Sequence, residues 1–226
     1  MTEPALRKDA ELNRQRLMAA GREVFARRGL DATLNDVAHH AGVGVGTAYR
    51  RFANKEELID AILEQQVGEI ERILRAALAE PDAWKGLVMY LEGLLAMQAK
   101  DRGIAQIQSG RRGRREKYDW QRDRLAPLVN ELADRGRAQG VLRPDATGTD
   151  LIFLQIALTA ISETVADRTE PGILPDVGQL YRRYLWIALD GLRARPEGVS
   201  PLPVGPLTTE ETHTLLGPPQ PGADTR

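Results

Sequence analysis

Residues 33–55 read TLNDVAHHAGVGVGTAYRRFANK, and the organisation of the chain follows from how this stretch folds. Thr33 stands three residues before Asp36, the spacing of a capping box with a short acid in place of the usual Glu. Leu34, Val37, Ala38 and Ala41 then recur at helical steps and give a short helix one apolar face. Gly42 ends that helix, because glycine enters the left-handed region of a tight turn without a Cβ penalty. A second short helix is predicted from about Gly44, with Val45, Ala48 and Phe52 turned inward. Two short helices across a glycine turn make a helix-turn-helix, whose second helix fits a DNA major groove. An ordinary helical hairpin has the same spacing. The outward residues Thr47, Tyr49, Arg50 and Arg51 weigh toward DNA, since their groups suit phosphates and base edges better than a core.

At 226 residues the chain has room for one or two domains, each with a core. Glu3, Arg7, Lys8 and Asp9 leave no signal-peptide pattern at the start. The longest apolar segment, residues 151–161, is interrupted by Gln155 and Thr159 and falls well short of the roughly 20 residues a membrane span needs. A soluble, cytoplasmic protein is expected. The absence of cysteine excludes disulfides, zinc–thiolate sites and cysteine nucleophiles. The net charge of −1 divides unevenly. Residues 1–55 carry 10 Lys/Arg against 6 Asp/Glu, and the remainder carries 21 against 26. A basic front on an acidic back suits a protein that meets a polyanion with one end.

Four segments are expected: a disordered arm at 1–12, a DNA-binding domain at 13–60, a helical ligand-binding and dimerisation domain at 61–194, and a disordered tail at 195–226. In the arm, Arg7 and Lys8 are within reach of a phosphate backbone. Leu17, Gly21, Val24 and Phe25 mark a first helix from about Asn13 to Arg28, stopped by Gly29. Asn54 and Glu57 cap a long helix that runs to about Ala79, roughly 36 Å at 1.5 Å per residue and able to bridge two domains. Lys55, in its first turn, adds a mobile positive charge beside outward backbone N–H groups. Further helices are expected near 82–100, 102–109, 116–139, 150–166 and 176–193, with Pro127 kinking the third or opening a fresh first turn. The run Arg111-Arg112-Gly113-Arg114-Arg115 reads as a solvated loop, since no aromatic residue is interleaved to stack on bases. Seven of the 13 prolines lie in the last 32 residues, which is why that tail is read as disordered.

The order of parts resembles the tetracycline-repressor (TetR) family. The residues that carry the likeness are Phe25-Ala26-Arg27-Arg28-Gly29-Leu30, Thr33-Leu34-Asn35-Asp36-Val37-Ala38, Ala41-Gly42-Val43-Gly44, Gly46-Thr47-Ala48-Tyr49, Phe52 and Asn54-Lys55-Glu56-Glu57-Leu58. It covers roughly residues 14–62. Later only the helix count and Gly140-Val141-Leu142-Arg143-Pro144-Asp145 match. The resemblance implies an all-α chain: a three-helix helix-turn-helix domain followed by a helical ligand-binding and dimerisation bundle. It also implies a homodimeric repressor that a small-molecule inducer releases from a palindromic operator. Carried over by position, Thr33, Tyr49, Arg51 and Lys55 would hold phosphates, and Asn35, Val45, Gly46, Thr47 and Arg50 would face base edges.

Other chemistry fits less well. His39 and His40 project about 100° apart on a helix, and His213 lies in the expected tail, so no metal site is predicted. Glu92, Asp101, Asp119 and Asp123 read as helix-surface charges, so neither catalytic residues nor a cofactor are expected. A non-specific structural DNA-binding protein is the rival reading, and the apolar second half argues against it. A ligand pocket in that half is predicted from Trp84, Tyr90, Met97, Trp120, Phe153, Gln155 and Thr159, large rings with a few polar groups between helices.

Overall fold

A computed structural model describes residues 3–100, 107, 119–168 and 180–216. Among them the chain forms nine α-helices and no strand. They are α1 (Glu3–Arg28), α2 (Leu34–His40), α3 (Val45–Arg51), α4 (Lys55–Ala79), α5 (Ala83–Lys100), α6 (Asp119–Ala138), α7 (Gly148–Arg168), α8 (Leu180–Leu192) and α9 (Thr209–Leu216). The all-α class expected from the periodicities is what the chain adopts. Two compact units divide within α4, after Gly68 rather than after residue 60.

In the first unit, Leu17, Val24 and Phe25 of α1, Leu34, Val37 and Ala38 of α2, Ala48 of α3, Phe52, and Leu58, Ile59 and Ile62 of α4 are all buried. The predicted stops at Gly29 and Gly42 hold, with φ of +64° and +63°, and Gly140 turns the chain in the same way after Ala138, with φ of +67°. After Gly29 the chain makes one 3-10 turn, Gly29–Asp31. α1 begins at Glu3, ten residues before the expected start, so the segment read as a disordered arm continues the helix. Ala5, Leu6, Ala10 and Leu12 are good helix formers in a run without glycine, and nothing after Pro4 interrupts helical hydrogen bonding.

The second unit is built around Leu74, Leu87, Tyr90, Leu91, Leu94, Leu132, Leu151, Leu158, Leu185 and Leu189, from α4 through α8. Gly86 permits a close helix contact with α4: a Cβ there would stand 2.5 Å from the Ala77 carbonyl oxygen. Pro127 sits inside α6. The expected helix at 102–109 lies outside the described residues except for Ile107, which is fully buried. The basic run at 111–115 and residues 176–179 also lie outside them.

The C-terminal segment departs most from expectation. Residues 193–216 are described, and α9 occupies Thr209–Leu216. The Thr208 and Glu211 side chains form a capping pair, the Thr208 N–H donating to the carboxylate at 2.8 Å and the Glu211 N–H to the hydroxyl at 3.1 Å. The segment is tied down along its length. The Ala194 N–H donates to the Val141 carbonyl at 3.1 Å, Arg143 to the Ser200 carbonyl at 2.7 Å, and Thr149 to the Leu207 carbonyl at 2.8 Å. Proline content signals a chain without a core face of its own. Specific polar ties to the α6–α7 corner and α8 order part of it nonetheless.

Candidate nucleic-acid interface

Local chemistry shapes the helix-turn-helix. The Thr33 hydroxyl accepts from the Asp36 N–H at 3.2 Å, while the Asp36 carboxylate accepts from the Thr33 N–H at 2.8 Å and from the hydroxyl at 2.6 Å. This is the predicted capping box. The bonds from Thr33 hold the Asp36 carboxyl below the usual carboxylate range, with Arg28 assisting. Gly42 then reverses the chain, and the Val43 N–H returns to the Ala38 carbonyl at 3.0 Å. The Gly44 carbonyl starts α3 by accepting from Thr47 and Ala48. No side chain caps the first N–H groups of α3.

Only Ala48 of α3 is buried. Gly46, Tyr49, Arg50 and Arg51 are exposed, Tyr49 by 48%, and Val45 and Thr47 are half-buried. Nothing lies within 4 Å of where a Cβ on Gly46 would be. An Arg50 Nη2–H donates to the Thr47 hydroxyl at 2.9 Å, so the long side chain folds back along its own helix. Asn35 and Thr33 are exposed at the start of α2. Eight of the nine predicted contact residues therefore lie on α3 or at the edge of α2. Lys55 differs. In place of the expected mobile charge it is half-buried, and its Nζ donates a short hydrogen bond to the Leu30 carbonyl. At the same end of α4, the Asn54 carboxamide accepts from the Glu57 N–H at 2.9 Å. The Glu57 carboxylate takes the Ala53 N–H, one residue before the expected partner.

Several neighbours escape a reading of the sequence. Arg28 pairs with Asp36 at 3.0 Å, and His40 Nε2 lies 2.7 Å from Glu23 Oε2. The His40 contact holds the Glu23 carboxyl below its ordinary range. These pairs border a cavity of about 340 Å³ lined by Val24, Arg27, Arg28, Asp36, His39 and His40. They join α1 to α2 across eight and 17 residues, a separation that no helical period encodes. Among the described residues no three His, Cys, Asp or Glu side chains form a metal-binding group.

The seven pocket residues are placed unevenly in the second unit. The Thr159 hydroxyl donates to Gln98 Oε1 at 2.6 Å and lies 2.9 Å from the Gln155 backbone carbonyl one turn earlier, so Thr159 joins α7 to α5, while Gln155 enters this contact only through its main chain. Phe153 and Met97 are half-buried. Tyr90 is a core residue, 2% exposed, and burial raises its hydroxyl pKa. Trp84 carries the Arg193 guanidinium over its ring at 4.6 Å. It stands 13 residues before Met97 on α5, about 20 Å along the helix axis, so the two do not share one small site. The Trp120 side chain lies outside the described residues.

A family model described as bacterial regulatory proteins, tetR family, matches residues 17–62, a span that contains all nine predicted contact residues. TtgW of Pseudomonas putida, an uncharacterised HTH-type transcriptional regulator, is 33% identical over 94 residues, 41% of this chain and 70% of that protein. The chain belongs to the TetR family. A second Pseudomonas putida protein, the HTH-type transcriptional regulator SrpR, is 34% identical over 94 residues, but the match spans only 44% of its length and 41% of this chain. The HTH-type transcriptional repressor KstR2 of Mycolicibacterium smegmatis aligns more fully, at 27% identity over 84% of this chain and 93% of its own. A crystal structure of the TetR transcriptional regulator SCO0520 from Streptomyces coelicolor superimposes with a TM-score of 0.60. It is 28% identical and covers 80% of this chain and 98% of that one. In TetR-family terms, α1–α3 are the helix-turn-helix head and α5–α8 the helical body.

Proposed function

We propose that this TetR-family protein is a homodimeric transcriptional repressor that binds a palindromic operator and leaves it when a small molecule occupies the helical body. The observation that carries the reading is α3, a helix with one buried residue and an exposed face of Gly46, Tyr49, Arg50 and Arg51. Small residues at its start permit close approach to the groove floor. Arg50, released from Thr47, is long enough to address guanine O6 and N7 bidentately, and the Val45 and Thr47 methyl groups suit thymine methyls. Asn35 supplies a further base-edge contact. Tyr49 and Arg51 hold phosphates, joined by Thr33 and the N–H groups it precedes. Lys55 stands at the margin of this set, because its ammonium is bonded within the head.

Dimerisation is supported by apolar side chains left open on a single chain: Tyr184, Trp186 and Ile187 of α8 and Ile156 of α7. Pairing α7 and α8 with their copies across a two-fold axis would cover them and set two α3 helices against half-sites about 34–36 Å apart. The relatives support the sensing role. KstR2 of Mycobacterium tuberculosis is a ketosteroid transcriptional regulator, and a Bacillus subtilis FadR structure holds stearoyl-CoA. A bulky apolar molecule with a polar end suits the polar pair of Gln98 and Thr159 within an apolar body. The deciding experiment is a genome-wide footprint of bound DNA, followed by titration of the recovered duplex. A shared inverted repeat bound tightly supports the proposal, and binding without sequence preference favours a structural DNA-coating protein instead.

A further inference from the structure

We infer that Lys55 is a positioning residue for DNA binding: its bond to the Leu30 carbonyl fastens the first turn of α4 to the corner that aims α2. The inference rests on the DNA-binding reading above and changes the part that Lys55 plays in it. Leu30 lies in the 3-10 turn Gly29–Asp31, and only Asp31 and the buried Ala32 separate it from Thr33, the N-cap of α2. The opposite side of the same corner is held by Arg28 on Asp36, whose carboxylate also accepts from Thr33. The corner is thus gripped at two points, one exposed and one half-buried. The half-buried grip comes from α4, whose start is itself stiffened by the Asn54 and Glu57 caps.

A displacement of the first turn of α4 is therefore passed to Thr33 and Asn35 through one ammonium and two intervening residues. A lysine spending its charge on a carbonyl contributes through geometry, whereas a lysine on a phosphate contributes through counterion release, at about 0.9 in the salt slope per contact. These two roles leave different marks.

The test compares the full-length protein with Lys55→Met, which keeps the apolar stem and removes the donor. In the free protein, the amides of residues 32–36 should exchange with deuterium about tenfold faster in the variant, with α6 and α7 unchanged. On a mixed-sequence duplex of about 30 base pairs, affinity should fall while the slope of log K against log salt stays within about 0.3 of the original. Unchanged exchange at 32–36, or a slope reduced by about 0.9, overturns the inference. The exchange arm needs no DNA, so it stands even if the duplex is not bound. Should Lys55→Met fail to fold, the Lys55 Nζ resonance of the unmutated protein answers the same question. A hydrogen-bonded ammonium signal that stays in place on adding duplex supports the positioning role, and one that moves onto a phosphate overturns it.

Discussion

Arg50 is the one long side chain on the open face of α3 that suits base readout, and its tether to Thr47 is a single exposed hydrogen bond. Arg50→Ala should relax preference at one base pair per half-site by about 1–3 kcal/mol, measured by titrating duplexes with each base at every position. Arg51→Ala should instead weaken all sequences alike and lower the salt slope by about 0.9. Tyr90 yields a prediction for the body. Burial raises its folded pKa above the unfolded value of about 10, so in alkali the unfolded chain loses a proton that the folded chain keeps. Its contribution is intact below about pH 10 and is lost as pH rises further. Replacing it with Phe should flatten the alkaline fall in stability, read by denaturant titration between about pH 9 and 11. Which side chains of α3 stay open is legible from sequence, because a seven-residue helix with one small buried side chain leaves the rest exposed or half-buried. The bond that Lys55 makes is not, since its acceptor is a backbone carbonyl 25 residues away, and carbonyls have no sequence signature.

Capping explains why some element boundaries are readable and others are missed. The Thr33–Asp36 box is read from its spacing. The same spacing recurs at Thr147–Asp150, where the Thr147 N–H donates to the carboxylate at 2.7 Å, and at Thr208–Glu211. The last box precedes Leu215 and Leu216 and is a legible helix start that proline content outweighs. Thr33→Ala should cost about 1 kcal/mol through the lost cap, read by denaturant titration. The larger effect is expected at Arg143, whose side chain is 11% exposed and joins Asp145 at 2.6 Å to the carbonyls of Gly191 and Ser200. Arg143→Met should destabilise the second unit by about 2 kcal/mol, since charge-assisted bonds are worth about 1.5–3 kcal/mol each, and should speed proteolysis at 195–207. Gly86→Ala should be comparably harmful, because the atom it strikes is backbone and cannot turn aside.

At the scale of the whole molecule, Ile187 is 58% exposed on α8, next to Trp186 at 50%, and two such side chains on one helix call for a cover. Ile187→Glu should yield a monomer by sedimentation at micromolar concentration and lose tight binding to a palindrome. A wild-type monomer under the same conditions would remove the two-fold argument altogether. By itself the sequence determined the helical class, the helix-turn-helix, its outward face and the basic front of the chain. Each of these follows from spacing, capping or composition within a few turns of backbone. Only the tertiary structure decided that Lys55 is spent on Leu30, that Trp84 lies under Arg193, and that part of the proline-rich tail is fastened to the α6–α7 corner. Those outcomes depend on which distant group stands within bonding distance of a flexible side chain, and that proximity exists only once the helices have packed.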